Sequence, residues 1–175
     1  MKILAISGSP RKGNCEFLVK QAAEIARTNG ASVEVVLLRE IKFAGCCGRD
    51  QCYHDQKCLL ADGLTPILEK ISKCDGLILA SPSYFNNVSG LMKNFMDRTN
   101  PYCKNKKWKG KKAVLVAVGG ATKRSLLRCG KTIKDFLWIH GIKLLKTGYF
   151  MAEKPTDGKK FANEARKLGK LLTKS

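Results

Sequence analysis

The residue types best able to do chemistry fall in three short segments of this 175-residue chain. Cys46, Cys47, Cys52 and Cys58 crowd into thirteen residues, CCGRDQCYHDQKC, with His54 among them. Thiolate and imidazole are ligands for soft and borderline metals and, without a metal, thiols are redox-active. Nearer the N-terminus, Ser7 to Cys15 reads SGSPRKGNC. The hydroxyls of Ser7 and Ser9, the cation at Arg11 and the free N–H groups of a helix starting at Asn14 can converge on a phosphate. An ordinary strand-to-helix turn rich in turn formers would read the same way. The segment has neither GxGxxG nor GxxxxGK followed by Ser or Thr, which excludes the dinucleotide fingerprint and the nucleotide-hydrolysing phosphate loop. In the third segment, SPSYFNNV from Ser81 to Val88, Pro82 fixes the chain direction and N–H groups from Asn86 to Val88 can donate without a charged side chain. Tyr84 and Phe85 offer an apolar wall to a planar ring, although core or dimer packing would use the same aromatics.

Hydrophobic periodicity shows which elements would hold these segments in place. Ile3 to Ser7 is an almost wholly apolar run that suits a strand buried on both faces. From Asn14 the period becomes helical, with Leu18, Ala22 and Ile25 on one face, Asn14 as a candidate cap and Asn29-Gly30 as the stop. Val33 to Leu38, Leu77 to Ala80, Ala113 to Val118 and Ile142 to Phe150 read as four more strands. Leu64 to Lys73, Gly90 to Thr99, Ser125 to Ile139 and a stretch around Phe161 to Leu172 read as helices, and Trp138 is expected to pack in the third of these. Arg39 to Ala61 has no clean period. The alternation predicts an α/β fold, a three-layer open parallel five-stranded sheet with helices on both faces. One domain over residues 1–175 is expected, with an inserted cysteine-rich loop at about 42–62. Such sheets bind ligands beyond the carboxyl ends of their strands, which points to Ser7–Cys15, Ser81–Val88 and the small residues from Gly119 onward.

Lys and Arg number 33 against 14 Asp and Glu, a formal charge of +19. That field would attract nucleic acid, anionic membrane or acidic proteins. In the densest run, KNKKWKGKK from Lys104 to Lys112, Trp108 could stack on a base. No zinc-finger, RNA-binding-sheet or helix-turn-helix signature accompanies it, so the run reads as a solvated connector and a nucleic-acid partner is not expected. The N-terminal run turns basic at Arg11 and Lys12 instead of reaching a cleavage site, and no apolar stretch approaches the ~20 residues that span a bilayer. A cytoplasmic location without a membrane partner is the expectation. With 44% hydrophobic residues the chain can build its own core, so its eight cysteines need not form a disulfide scaffold.

SGSPRKGN after the first strand, taken with SPSYFNNVSGLMKNFMDR from Ser81 to Arg98, resembles the family of NADPH-dependent FMN reductases and iron-sulfur flavoproteins. The likeness runs over nearly the whole chain in length and order of elements. It implies a flavodoxin-like sheet of order 2-1-3-4-5 and FMN as cofactor. Carried over residue by residue, Ser7, Ser9, Pro10, Arg11, Gly13, Asn14 and Cys15 would surround the FMN phosphate. Ser81, Pro82, Tyr84, Phe85, Asn86, Asn87 and Val88 would hold the ribityl chain and one edge of the isoalloxazine. Gly119, Gly120 and Ala121 match the third contact more loosely, because the chain runs from Ala117 and Val118 straight into the glycine pair. Flavin chemistry belongs to the cofactor, so no side chain is assigned as catalytic.

The same family carries C-x2-C-x2-C and a fourth cysteine in this place. Registering Cys52, Cys58 and Asp62 puts Cys46 at the first position and Arg49 at the second, with Cys47 displaced by two residues. Three readings stay open: a 4Fe-4S cluster on Cys46, Cys47, Cys52 and Cys58; a zinc or mixed site with His54; or a loop whose thiols pack or do redox chemistry without metal. With a cluster, the resemblance implies an electron carrier fed by a ferredoxin-like donor, whose acidic surface a basic protein would suit. Without one, it implies an FMN-dependent oxidoreductase taking hydride from NADH or NADPH and reducing a flavin, quinone or other small acceptor. A non-catalytic basic protein of the same fold is the remaining class. Tyr84, Phe85, Phe95 and Tyr102 suggest a homo-oligomer, dimer or tetramer, that completes the flavin pocket.

Overall fold

The computed structural model describes residues 1–174. Strands β1 (Lys2–Ser7), β2 (Ser32–Leu37), β3 (Gly76–Pro82), β4 (Lys112–Gly119) and β5 (Lys143–Met151) form one parallel sheet in the order β2-β1-β3-β4-β5. The order reverses beside β1, which pairs β2 on one side and β3 on the other. The loops after β1 and β3 therefore diverge from neighbouring strand ends and leave a crevice between them. The three central strands are the apolar runs of the sequence, and β3 is buried along its whole length.

Alternate residues of these strands feed two cores, one on each face. Ile78, Val114 and Val116 pack under α1 (Asn14–Thr28) and α6 (Ala162–Lys174). Leu79, Leu115 and Ala117 pack under α3 (Thr65–Lys73), α4 (Gly90–Asp97) and α5 (Lys123–Ile139). On the first face α6 crosses α1 so closely that a Cβ at Gly169 would lie 2.0 Å from the Ala22 carbonyl oxygen. Gly169→Ala is expected to lower the unfolding free energy by about 1–3 kcal/mol in urea denaturation. A loss under about 0.5 kcal/mol would show that the helices part without cost.

Element limits follow the periodicity to within two residues, apart from α2 (Gln51–Asp55), a short helix inside the segment with no clean period. Four expectations about individual side chains need correcting. Gly13, not Asn14, occupies the cap position of α1, and no side chain caps that helix. Trp108 has no exposed surface: it stacks on Tyr102 at 4.9 Å and lies 4.5 Å from His140, so the basic run is anchored in the core and has no ring to offer a base. Trp138 faces solvent, 78% exposed, because the packing face of α5 is Leu126, Ile133 and Leu137. Phe95 and Tyr102 pack in or against the core, which removes two of the four aromatics that suggested a pocket-completing oligomer. No described helix is long and apolar enough to cross a membrane.

Candidate functional site

The loop after β1 is shaped by its own hydroxyls. Ser7 and Ser9 are buried; Ser9 N donates to Ser7 Oγ at 3.4 Å, and Ser9 Oγ donates to the Arg11 carbonyl at 2.8 Å. Gly8 N donates to the Ala80 carbonyl, and Ser89 Oγ at the start of α4 donates to the Gly8 carbonyl, which ties this loop to the end of β3 and to α4. The first bond of α1 runs from Phe17 N to Gly13 O, leaving the N–H groups ahead of it without intrahelical acceptors. No carboxylate among the described residues pairs with Arg11. Burial pushes the Cys15 thiol up and keeps it neutral, so it adds no charge against an anion held at the helix start.

After β3 the chain makes a two-residue turn in which Tyr84 and Asn87 exchange N–H···O bonds of 2.9 Å. The turn needs left-handed backbone at both central residues, φ 47° at Phe85 and 63° at Asn86. Asn tolerates that region, whereas a phenylalanine there costs about 1–2 kcal/mol, and its ring stands fully in solvent. Asn87 Oδ1 accepts from Val88 N and from Thr132 Oγ1, which ties the turn to α5.

The loop after β4 is backed by a strap that follows β5, residues 152–158. Ala152 N donates to the Gly119 carbonyl at 2.9 Å. A Cβ at Gly120 would come 2.8 Å from Cγ and 2.9 Å from Cα of Glu153, so only glycine allows the strap to lie this close.

These loops enclose a cavity of about 120 Å³ at the carboxyl edge of the sheet. Of the expected residues, Ser9, Arg11, Gly13, Asn14 and Cys15 line it from the first loop, Pro82 and Tyr84 from the second, Gly119 and Gly120 from the third. Ser7, Pro10, Ser81, Phe85, Asn86, Asn87, Val88 and Ala121 do not line it; Ser7, Ser81 and Val88 are buried beneath, where Ser81 Oγ accepts from Ser89 N. Considering only the loops after β1, β3 and β4 missed Ala152, Glu153 and Pro155, which the strand-end rule applied to β5 would have found. An open cation, free helix N–H groups and small residues suit a phosphate-bearing ligand such as FMN.

The cysteine loop forms a separate site. Cys46, Cys47, Cys52 and Cys58 all line one cavity of about 20 Å³, together with Arg49 and Arg98. Three of the sulfurs face N–H donors: Gly48 N on Cys46 at 3.4 Å, Asn100 Nδ2 on Cys52 at 3.6 Å and Arg98 Nε on Cys58 at 3.3 Å. The space is about that of a single water, with Arg49 among its walls, and no three His, Cys, Asp or Glu residues converge to hold a metal among the described residues. The loop in this form does not fit a 4Fe-4S cluster.

The family model described as NADPH-dependent FMN reductase matches residues 1–157. An iron-sulfur flavoprotein from Methanocaldococcus jannaschii is 34% identical over 143 residues, covering 81% of this chain and 74% of the relative. One from Methanosarcina thermophila is 34% identical over 144 residues, covering 81% and 75%. An NAD(P)H:quinone oxidoreductase structure from Methanothermobacter marburgensis superposes with a TM-score of 0.79 at 19% identity, covering 98% of this chain and 96% of that one.

Proposed function

The chain belongs to the NADPH-dependent FMN reductase family, and from that premise we propose that it is an FMN-dependent oxidoreductase whose donor is NADH or NADPH. The observation that carries the reading is the cavity at the reversal of strand order, where four strand-end loops bring together Arg11, the start of α1 and the Gly119-Gly120 pair. FMN, when bound, supplies the chemistry by accepting hydride and passing electrons to a small acceptor. Arg11 and the N–H groups at the start of α1 hold the phosphate dianion. Pro82 and Tyr84 border the cavity on the sheet side, and Gly119 and Gly120 leave the backbone open to close approach. Burial pushes the Cys15 thiol up, so it stays neutral beside the phosphate.

Apo-protein titrated with FMN should quench flavin fluorescence saturably, and anaerobic NADPH or NADH should bleach the visible flavin band. Arg11→Ala should weaken FMN about tenfold or more through loss of a charge-assisted contact. Failure of the folded wild-type protein to bind FMN would sink the reading.

A second reading rests on the four cysteines that share one cavity and on relatives named iron-sulfur flavoproteins. It requires the loop to open before a cluster could enter, and ferredoxin would then be the donor. Iron and sulfide analysis of anaerobically purified protein separates the two: four of each per chain selects this reading, and none, with rapid bleaching by NADPH, selects the first.

A further inference from the structure

The strap behind the third loop separates two cavities. On its inner side lies the 120 Å³ cavity beside Arg11 and Gly120. On its outer side a groove of about 360 Å³ is lined by Lys12, Lys159 and Phe17, and by Glu16 and Lys20, which pair with each other at 2.6 Å. Gly13, Asn14 and Pro155 border both. The partition between them is the Asn14 side chain, whose amide bonds the strap through both its nitrogen and its oxygen: Nδ2 donates to the Lys154 carbonyl at 2.8 Å, and Oδ1 accepts from Gly158 N at 2.9 Å. Asp157 braces the strap from within, Oδ2 accepting from Glu153 N at 3.1 Å and Lys154 N at 2.9 Å.

We infer that this Asn14-clamped strap is the specificity element of the flavin site, ending it at a 5′-monophosphate and shutting out a flavin dinucleotide. The inference rests on the FMN reading. A mononucleotide stops at its phosphate, whereas a dinucleotide continues through a pyrophosphate into an adenylate. The outer groove has the chemistry for that continuation, cations for the second phosphate and an aromatic face for adenine. With the strap clamped, the continuation would have to pass through the Asn14–Lys154–Gly158 junction. With it released, the two cavities become one channel. Discrimination arises from a barrier to the wrong ligand and not from a contact to the right one.

The test is titration of folded apo-protein with FMN and with FAD. Wild type should favour FMN by at least about tenfold. Asp157→Ala, whose side chain does not itself line the flavin cavity, loosens the strap and should cut that ratio about tenfold by tightening FAD more than it changes FMN. Adding Lys12→Ala and Lys159→Ala to that variant should abolish the gain for FAD alone. Asn14→Ala removes the clamp from the other side and should shift the ratio in the same direction, which keeps the test open should Asp157→Ala misfold. Equal affinity of wild type for the two flavins, or an unchanged ratio in both strap variants, overturns the inference while leaving FMN binding intact. Absence of binding to either flavin overturns the FMN reading and this inference with it.

Discussion

Arg98→Ala is expected to lower the unfolding free energy by about 3 kcal/mol or more and to free the cysteine loop from α4. Arg98 is 1% exposed, and every N–H of its guanidinium has an acceptor. Nη1 donates to Asp62 Oδ2 at 2.7 Å and to the Ala44 carbonyl at 2.8 Å. Nη2 donates to Asp62 Oδ1 at 3.1 Å and to the Leu60 carbonyl at 3.0 Å, and Nε to Cys58 Sγ. Burial alone would pull the guanidinium down, but the bonds to Asp62 and Cys58 hold it above its ordinary range. The Arg98 hydrogen bond likewise holds the Asp62 carboxyl below the usual carboxylate range. Removing the arginine strands a part-buried carboxylate and two carbonyls at once, and an unpaired buried charge is among the costliest single losses. Arg98→Lys should recover less than half, because an ammonium cannot present five donors in a planar fork. Urea unfolding reads the stability, and hydrogen exchange at Ala44 N, which donates to Asp62 Oδ2, reads the loop. A loss under about 1 kcal/mol with unchanged exchange would refute the clamp.

Acid should destabilise the protein well above the range where carboxylates titrate. His140 is 1% exposed, with Thr99 Oγ1 2.9 Å from Nε2 and the rings of Trp108 and Phe136 at 4.5 and 4.8 Å. Burial pulls its imidazole down to about 4 from 6.5, only partly offset by a hydrogen bond from the ring to the Tyr102 backbone. The unfolded chain takes up this proton near pH 6.5 and the folded chain only near pH 4. Unfolding therefore binds a proton in that window, and stability falls as pH is lowered through it, by about 3 kcal/mol in all. The nearest titratable neighbour is Cys103, whose thiol burial pushes up, so it stays neutral throughout. Asp62 acts further down: its stabilisation is present above its unfolded value of 3.8 and is lost as pH falls through its lower folded value. Urea unfolding between pH 7 and 4.5 should show most of the histidine loss, and His140→Gln should flatten the slope. A wild-type profile flat over that interval would count decisively against a buried neutral imidazole.

What could be read without a structure was local. The runs of β1, β3 and β4 are apolar because both faces of the sheet are covered, so a strand shows itself within a few residues. The helices show themselves by period, and the phosphate loop by hydroxyls, a glycine and an arginine between one and the other. Trp138 shows where this fails: its spacing fits α5, yet α5 presents a different stripe to the sheet, and only the rotation of the packed helix tells them apart.

The alternation of elements, the class of fold and the neighbourhood of the site were therefore legible in the chain, since each rests on patterns only a few residues long. The tertiary structure alone decided that Asn14 clamps a strap some 140 positions away instead of capping its own helix. It decided too that Arg98 closes a loop across 36 to 54 positions, that Trp108 belongs to the core, and that Glu153 backs Gly120. No period or spacing encodes such pairings, because they arise only when the sheet brings the ends of β1, β4 and β5 to one edge and packs α4 against the cysteine loop. A side chain's polar groups are then claimed by whichever partner the fold delivers, and a local reading of the chain sees only the offer.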